Sequence, residues 1–374
     1  MRFKALIGAL ALLIMMGYTS TASATLTTAY TFTGDDGVSV DAGGSTASTL
    51  PDGLTADVPN GSTVVAAYLY TSTFNGTFEA TGYSAGDVFS SVYAGGTLNG
   101  NSVSYTALIA NSDASYLQAG VANVTSIVAA EVNPSGALSS GSTVYNFAVT
   151  ESDTAYQDGE VLVVVYSNPS LPTNSIGILD GAAASGGDTS SIEFASNPAG
   201  DTVLMSIGDG FSYDLDGSYN EQTSTITVDG STLTSAAGNC DESQDGGTEP
   251  NATGCSNGDL ITAGVLGLNS DGSIDTAYSN PVTPIGDTDS DTDHELYNIS
   301  SLIDPLAGNT ISLTTSNSSY DDNIFLEVFD VEGLAGFNAP PPMSGAEPGS
   351  LGLMLIGLCG LGLLRKFRTV ANAA

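Results

Sequence analysis

The sequence predicts an all-β protein, and three observations carry the prediction. Segments such as TVVAAYLYTSTF (63–74), VYNFAVT (144–150), GEVLVVVY (159–166), NTISLTT (309–315) and NIFLEVFDV (323–331) are rich in β-branched and aromatic residues. Gly, Ser, Thr, Asn and Asp punctuate them at short intervals, as they do strands of a β-sandwich. Between the two ends of the chain, no stretch carries a helical period with recognisable caps.

The first element is a targeting segment. Arg2 and Lys4 precede an apolar run from Ala5 to Tyr18, and Ala22-Ser23-Ala24 supplies small residues for a cleavage site. Residues 1–24 therefore read as a secretory signal helix, passed by the Sec export machinery and removed by signal peptidase before Thr25. Its apolar core is short of the roughly 20 residues that a bilayer span needs.

The body that follows is long enough for about two domains. Asn99-Gly100, between GGTL and NSVSYTA, reads as a tight hairpin turn. Three pairs of segments recur in the same order. VPNGSTVVAAYLY from Val58 matches NPAGDTVLMSIGD from Asn197, and VYAGGTLNGNSVSYTA near Val92 matches ITVDGSTLTSAAG near Ile226. VTSIV with the strands up to Ser167 matches ISSLI with the strands up to Val331. Such order is the mark of an internal duplication. The expected organisation is two jelly-roll or Greek-key-like β-sandwiches, 25–172 and 173–332. NPSLPTNS joins them, its two prolines opposing helix and central strand. A Pro/Gly linker follows at 333–348, where Pro340-Pro341-Pro342 favours an extended spacer.

Charge excludes whole classes of partner. The chain holds 41 acidic residues and five Lys or Arg, for a net charge of −36. All five cations precede Thr25 or follow Leu364, so residues 25–364 contain neither Lys nor Arg. Such a surface repels nucleic acid and anionic lipid. Most of its carboxylates are expected to be solvated, and divalent cations are the natural counter-charge outside a cell.

Acidic runs supply the candidate metal ligands. Asp287, Asp289, Asp291, Asp293 and Glu295 recur at every second residue in GDTDSDTDHELY. On a straight strand they would form a column of like charge. Looping into water or wrapping a cation relieves that, and Ca²⁺ with its six to eight oxygens suits the pattern. It is not an EF-hand, because Thr292 occupies the glycine position and Asn298 the position of the bidentate Glu. Asp214, Asp216, Asn220 and Glu221 beside Gly217 form a second oxygen-rich turn, and Asp271 with Asp275 a weaker third. Tyr156-Gln157-Asp158 and Tyr320-Asp321-Asp322 fall at matched places and read as turns. Cys240 and Cys255 enclose a short loop, and in an exported chain they read as a disulfide.

Catalytic signals are weak. Gly82-Tyr83-Ser84-Ala85-Gly86 fits the G-x-S-x-G spacing, but strand-like sequence follows it where a nucleophile elbow needs a helix. His294 is the body's one histidine, set among carboxylates. No phosphate loop or dinucleotide fingerprint is present. A hydrolase using Ser84 is thus the remote alternative, and the chain is expected to be no enzyme.

The C-terminus is a second address. Gly349–Leu364 is uncharged and apolar, with Arg365, Lys366 and Arg368 directly behind it. As a transmembrane helix it would reach roughly 24 Å, short of a ~30 Å hydrocarbon core. The cations would snorkel and hold that end in the cytoplasm. Glu347-Pro348-Gly349, the Leu/Gly-rich span and the basic cluster, taken together over 346–368, resemble the PEP-CTERM sorting signal. Ala346 stands where that signal usually has Pro. The resemblance implies handling of the segment 349–374 by an exosortase-type enzyme. It further implies passage through an inner-membrane-tethered intermediate to the surface or exterior of a Gram-negative cell. The body loosely resembles secreted adhesin-like surface proteins. The expectation is a non-enzymatic surface or matrix protein associated with exopolysaccharide or biofilm. The alternative is a Ca²⁺-dependent carbohydrate-binding module, with tyrosines serving in place of the absent Trp.

Overall fold

The computed structural model describes residues 26–43, 53–74, 95–108, 117–140, 144–152, 157–181, 183, 187–198, 200–210, 224–237, 261–262, 296–304, 306, 308–317 and 323–338. By contacts the chain divides into Met1–Phe337 and Asn338–Ala374, and of the second unit only Asn338 is described.

The first half of the chain contributes β1 (Thr27–Gly43), β2 (Leu54–Asp57), β3 (Thr63–Phe74), β4 (Gly96–Leu98) and β5 (Asn101–Val103). It continues with β6 (Thr106–Ala107), β7 (Leu117–Asn123), the helix α1 (Thr125–Val132), β8 (Val144–Phe147), β9 (Val149–Glu151) and β10 (Gln157–Ser167). The second half contributes β11 (Thr173–Asp180), β12 (Asp188–Phe194), β13 (Val203–Gly210), β14 (Ser224–Val228) and β15 (Ser231–Ala237). Then come β16 (Ile261–Thr262), β17 (Tyr297–Asn298), a 3-10 turn (Ser300–Leu302), β18 (Thr310–Asn317), β19 (Asn323–Glu332) and β20 (Ala335–Phe337). The prediction of an all-β fold holds, with one short helix to add.

That helix corrects the helix-free expectation. TSIVAAEV lacks a side-chain cap, and it has no acidic residue in its first turn and no basic residue in its last. It forms because Val128 and Val132 bury against the first-half core, so tertiary packing supplies what the local sequence does not.

The largest sheet runs β16-β13-β19-β11-β1-β10-β3-β7-β6, with β17 also on β13. β1 is its hinge. Thr27–Asp35 pairs with β11, whereas Asp36–Gly43 pairs with β10 on the other edge. In a flat sheet, four strand spacings of about 4.8 Å would hold β3 and β19 about 19 Å apart. Yet the rings of Tyr70 on β3 and Phe325 on β19 have centroids 6.3 Å apart. The sheet therefore folds back on itself at β1, and its two wings face each other. Val38, Val40, Val161, Val163, Val165, Ile176, Ile178 and Val328 fill the space between them.

Each wing buries its outer face as well. Leu162, Val164 and Tyr166 on β10 alternate with the inward valines and pack under β2, β4, β5, β8, β9 and α1. Phe329 and Val331 on β19, with Val203, Met205 and Ile207 on β13, pack under the sheet β15-β14-β18-β12-β20. Strands covered on both faces explain the apolar runs VLVVVY in β10 and, interrupted by Glu327 and Asp330, IFLEVFDV in β19. Residue 172, where the two halves were expected to part, lies between β10 and β11, and both of those strands pair with β1. The stretch expected as linker from 333 opens with β20, which pairs with β12.

The Asn99-Gly100 hairpin is present as expected. Both residues have positive φ (47° and 71°), and Leu98 pairs with Asn101 across a two-residue loop.

Candidate functional site

The residues of chemical interest within the described structure are acids inside the apolar layers. Asp36, Asp41, Glu151, Glu160, Asp209, Glu327 and Asp330 are all buried. They are exceptions to the expectation that most carboxylates in this chain are solvated, whereas Asp35 on β1 and Glu332 on β19 are exposed. The signal was available in the sequence as an acid set inside an apolar strand, for example Glu327 and Asp330 in NIFLEVFDV. With no Lys or Arg between residues 25 and 364, none of these acids meets a Lys or Arg of the body.

Protonation is the response that burial imposes. Asp36 sits where β1 changes partners and is 1% exposed. Burial, then the charges of Asp330 and Asp35, push its carboxyl up to about 7, against the pull of the Gly34 amide. Burial raises Asp330 to about 7 as well, opposed by the Asn174 side chain and the Val38 backbone. Asn174 Nδ2 joins the two wings: it donates to Asp330 Oδ1 at 2.8 Å and to the Asp36 carbonyl at 3.4 Å. A pocket of about 180 Å³ opens beside this cluster, lined by Pro172, Asn174, Thr202, Leu204, Asp330 and Glu332. Asp330, on the pocket wall with a carboxyl raised to about 7, can hold and release a proton there.

A second acid cluster lies in the first-half layer. Tyr105 Oη and Gln157 Nε2 donate to Glu160 Oε1 at 3.3 and 3.4 Å, and the Gly159 amide donates to Glu151 Oε1 at 3.1 Å. Burial first, then the neighbouring Glu151, raises the Glu160 carboxyl well above its usual range. Gln157, expected in a turn, instead opens β10 at 4% exposure, with Ser152 N donating to its Oε1 at 2.9 Å. In the second-half layer Glu327 is 1% exposed and pushed up to about 8 by burial; Asp188 adds to the rise and Ser190 opposes it.

Aromatic side chains collect at one end of the central layer. Tyr30 and Tyr68 lie with ring centroids 5.7 Å apart at 58°, each half-buried, and Tyr70 Oη donates to Asp180 Oδ2 at 3.2 Å. Burial, followed by the charge of Asp180, raises the Tyr68 phenol.

The residues singled out from sequence fall elsewhere. Asp287, Asp289, Asp291, Asp293, Glu295, Asp214, Asp216, Asn220, Glu221, Asp271 and Asp275 lie outside the described residues. So do Cys240, Cys255, Ser84, His294, Tyr156, Tyr320 to Asp322, and the sorting motif Glu347, Pro348, Gly349, Arg365, Lys366 and Arg368. Among the described residues no three His, Cys, Asp or Glu side chains converge as a metal centre, and no helix is long and apolar enough to cross a membrane.

The described strands do place the roots of the acidic segments together. Residues 211–223 leave from Gly210 at the end of β13, and residues 263–295 leave from Thr262 on β16. Ile261 pairs with Asp209 and Thr262 with Gly208, so the incoming 238–260 arrives beside the root of 211–223 at the strand end, and 263–295 leaves from the neighbouring stretch of the same strand's edge. The 263–295 segment returns through Tyr297, opposite Met205 on the same strand.

Comparison with protein families, with characterised proteins and with solved structures finds no match to this chain.

Proposed function

We propose that this chain is a non-enzymatic exported protein of the Gram-negative cell surface or its polysaccharide matrix, sorted by its C-terminal segment. The observation that carries the reading is the placement of charge. All five cations lie at the two ends, in a signal-like head and directly behind the apolar span 349–364, with none between. A short, glycine-interrupted span with a cationic stop is a weak anchor whose body stays on the export side. The EPG stretch then sits within reach of a membrane-embedded processing enzyme of the exosortase type. An exported chain lacking residues 346–374 tests this by cell fractionation. It is expected to leave the cell without surface retention; the same distribution as the intact chain would contradict the sorting role.

The body is proposed to be a duplicated pair of β-sandwiches, and repeated hydrogen bonds support it. Ser62 N donates to the Pro59 carbonyl at 3.1 Å and Asp201 N to that of Pro198 at 2.9 Å, with Gly61 and Gly200 at φ 92° and 97°. In the first hairpin Asn99 N donates to Ala148 O at 2.8 Å, and Ala148 N returns a bond to Asn99 Oδ1 at 2.8 Å. In the second, Asp229 N donates to Ser312 O at 2.8 Å, and Ser312 N to Asp229 Oδ1 at 2.9 Å. Thr125 N and Ser300 N bond the side chains of Asn123 and Asn298, and both hydroxyls accept from the adjoining strand, from Ala67 N and Val203 N. Two such units carry paired surfaces suited to matrix or adhesive contacts.

A Ca²⁺-dependent carbohydrate-binding role is the second reading. It is favoured by Tyr30 and Tyr68 beside Asp180, and by the neighbouring roots of the acidic segments holding Asp214, Asp216, Asn220, Glu221 and Asp287 to Glu295. A glycan array run with and without EDTA separates the two. Specific, EDTA-sensitive binding that Tyr68→Ala abolishes supports the lectin, and no specific sugar supports the structural protein.

A further inference from the structure

We propose that the pocket over β11, β13 and β19 binds the primary ammonium group of a small organic amine, with Asp330 and Glu332 as its counter-charges. Six residues line it: Pro172, Asn174, Thr202, Leu204, Asp330 and Glu332. Strand register sets them in two adjoining rows. Leu204 on β13 lies opposite Asp330 on β19, and Asn174 on β11 lies opposite Glu332. Asp330 and Glu332 are two residues apart on one strand, so they share a face. Thr202 is tied to the second row by a pair of bonds. Glu332 N donates to the Thr202 carbonyl at 2.9 Å, and Thr202 N donates to Glu332 Oε2 at 3.0 Å.

The chemistry of the ligand follows from which wall groups are already in use. Asn174 Nδ2 is committed to Asp330 Oδ1 at 2.8 Å and to the Asp36 carbonyl at 3.4 Å. The Thr202 amide is held by Glu332, and Pro172 has no N–H to give. Asn174 Oδ1, by contrast, is buried without a partner. Two carboxyl groups and an amide oxygen therefore face a single remaining side-chain donor, the Thr202 hydroxyl. A carboxylate or phosphate ligand would find like charge and almost nothing to accept from. An ammonium group carries three donors and no acceptor, which is the complement of this wall. The charge has to come from a ligand, since residues 25–364 hold no Lys or Arg. Asp36 on β1 adds its charge to that of Asp330, so one cation relieves both. The volume of about 180 Å³ far exceeds the roughly 10–15 Å³ that one water needs, and Pro172 and Leu204 offer an apolar wall to a carbon skeleton. An organic amine suits that space better than a bare ion. Among the described residues no three His, Cys, Asp or Glu side chains converge on a metal.

The test is calorimetric titration of the full chain recovered after export, at neutral pH and in EDTA, with butylamine, glucosamine and N-acetylglucosamine as probes. Binding of butylamine or of glucosamine supports the ammonium site, and the tighter of the two identifies an alkyl or an amino-sugar source. N-acetylation makes the amine a neutral amide and is expected to abolish binding. Asp330→Asn is expected to weaken the amine about tenfold. Glu332→Gln, at an exposed position, is expected to weaken it about threefold and keeps the test decisive should Asp330→Asn fail to fold. Tyr68→Ala is expected to leave the affinity unchanged, which separates this site from the carbohydrate reading above. The proposal is overturned if neither amine binds, if N-acetylglucosamine binds as tightly as glucosamine, or if Glu332→Gln and Asp330→Asn both keep the parent affinity. Displacement of the amine by an equal concentration of Ca²⁺, with EDTA left out, would also overturn it, in favour of a metal site.

Discussion

At Glu327 a carboxyl group sits in an apolar layer with a folded pKa near 8, raised mainly by burial. Unfolded, it would titrate near about 4.3. The folded state thus binds the proton more tightly, and the stability this confers is whole below pH of about 4.3 and lost as pH climbs through 8. Glu327→Gln keeps the shape and removes the titration. In thermal melts the variant should show a flatter Tm between pH 5 and 8, and an unchanged slope would refute the assignment. Gly177 illustrates a different constraint. A Cβ there would meet the ring of Phe337 at 2.5 Å, and that ring is stacked on Phe329 at 5.9 Å and 16°. Gly177→Ala must displace Phe337 from the core, so we expect a loss of about 1–3 kcal/mol in denaturant unfolding. Both residues stand plainly in the sequence. What the sequence withholds is the face each one takes, because that depends on strand register across more than a hundred residues.

At the level of elements the two hairpins offer the sharpest test of equivalence. Asn99 and Asp229 each occupy a positive-φ position (47° and 48°) and bond the neighbouring strand through backbone and side chain alike. Asn99→Ala loses one such bond, worth about 1 kcal/mol, and Asp229→Ala loses its counterpart together with the bond from Asp304 N at 3.2 Å; both add strain at a left-handed position. We expect a loss from each in chemical denaturation, the larger from Asp229→Ala, adding nearly without coupling when combined. A silent variant would speak against matched roles. The first hairpin was legible because Asn-Gly has a local mechanism. The helix α1 was not, since its valines acquire their helical role only by burial on the first-half core. The strands β10 and β19 were legible as apolar runs; their fully covered faces became apparent only once the layers were assembled.

For the whole molecule, the unforeseen feature is the fold of the large sheet about β1. GDDGVSVDAG reads locally as one strand, and nothing in it says that Asp35 and Asp36 mark a change of partner from β11 to β10. The same change of partner places Asp36 beside Asp330, each raised to about 7. Added to Glu327, they predict an acidic protein that grows more stable as pH falls from 8 to 5, because the native state binds more protons than the unfolded chain across that window. A Tm higher at pH 8 than at pH 5, in the absence of divalent cations, would contradict this. Cation dependence belongs at this scale too. If the segments rooted at Gly210 and Thr262 wrap Ca²⁺, EDTA should lower Tm and added Ca²⁺ restore it. The candidate cluster was half legible: Asp330 inside an apolar strand is a local signal, whereas its meeting with Asp36 follows only from the change of partner along β1. The proposed sorting, by contrast, rests on the linear order of charge and hydrophobicity at the two ends. The intact mass of the protein collected outside its host bears on that most directly. The account predicts a chain that begins at Thr25 and lacks Arg365, Lys366 and Arg368; a mature molecule that still carries Arg368 and Ala374 would contradict it.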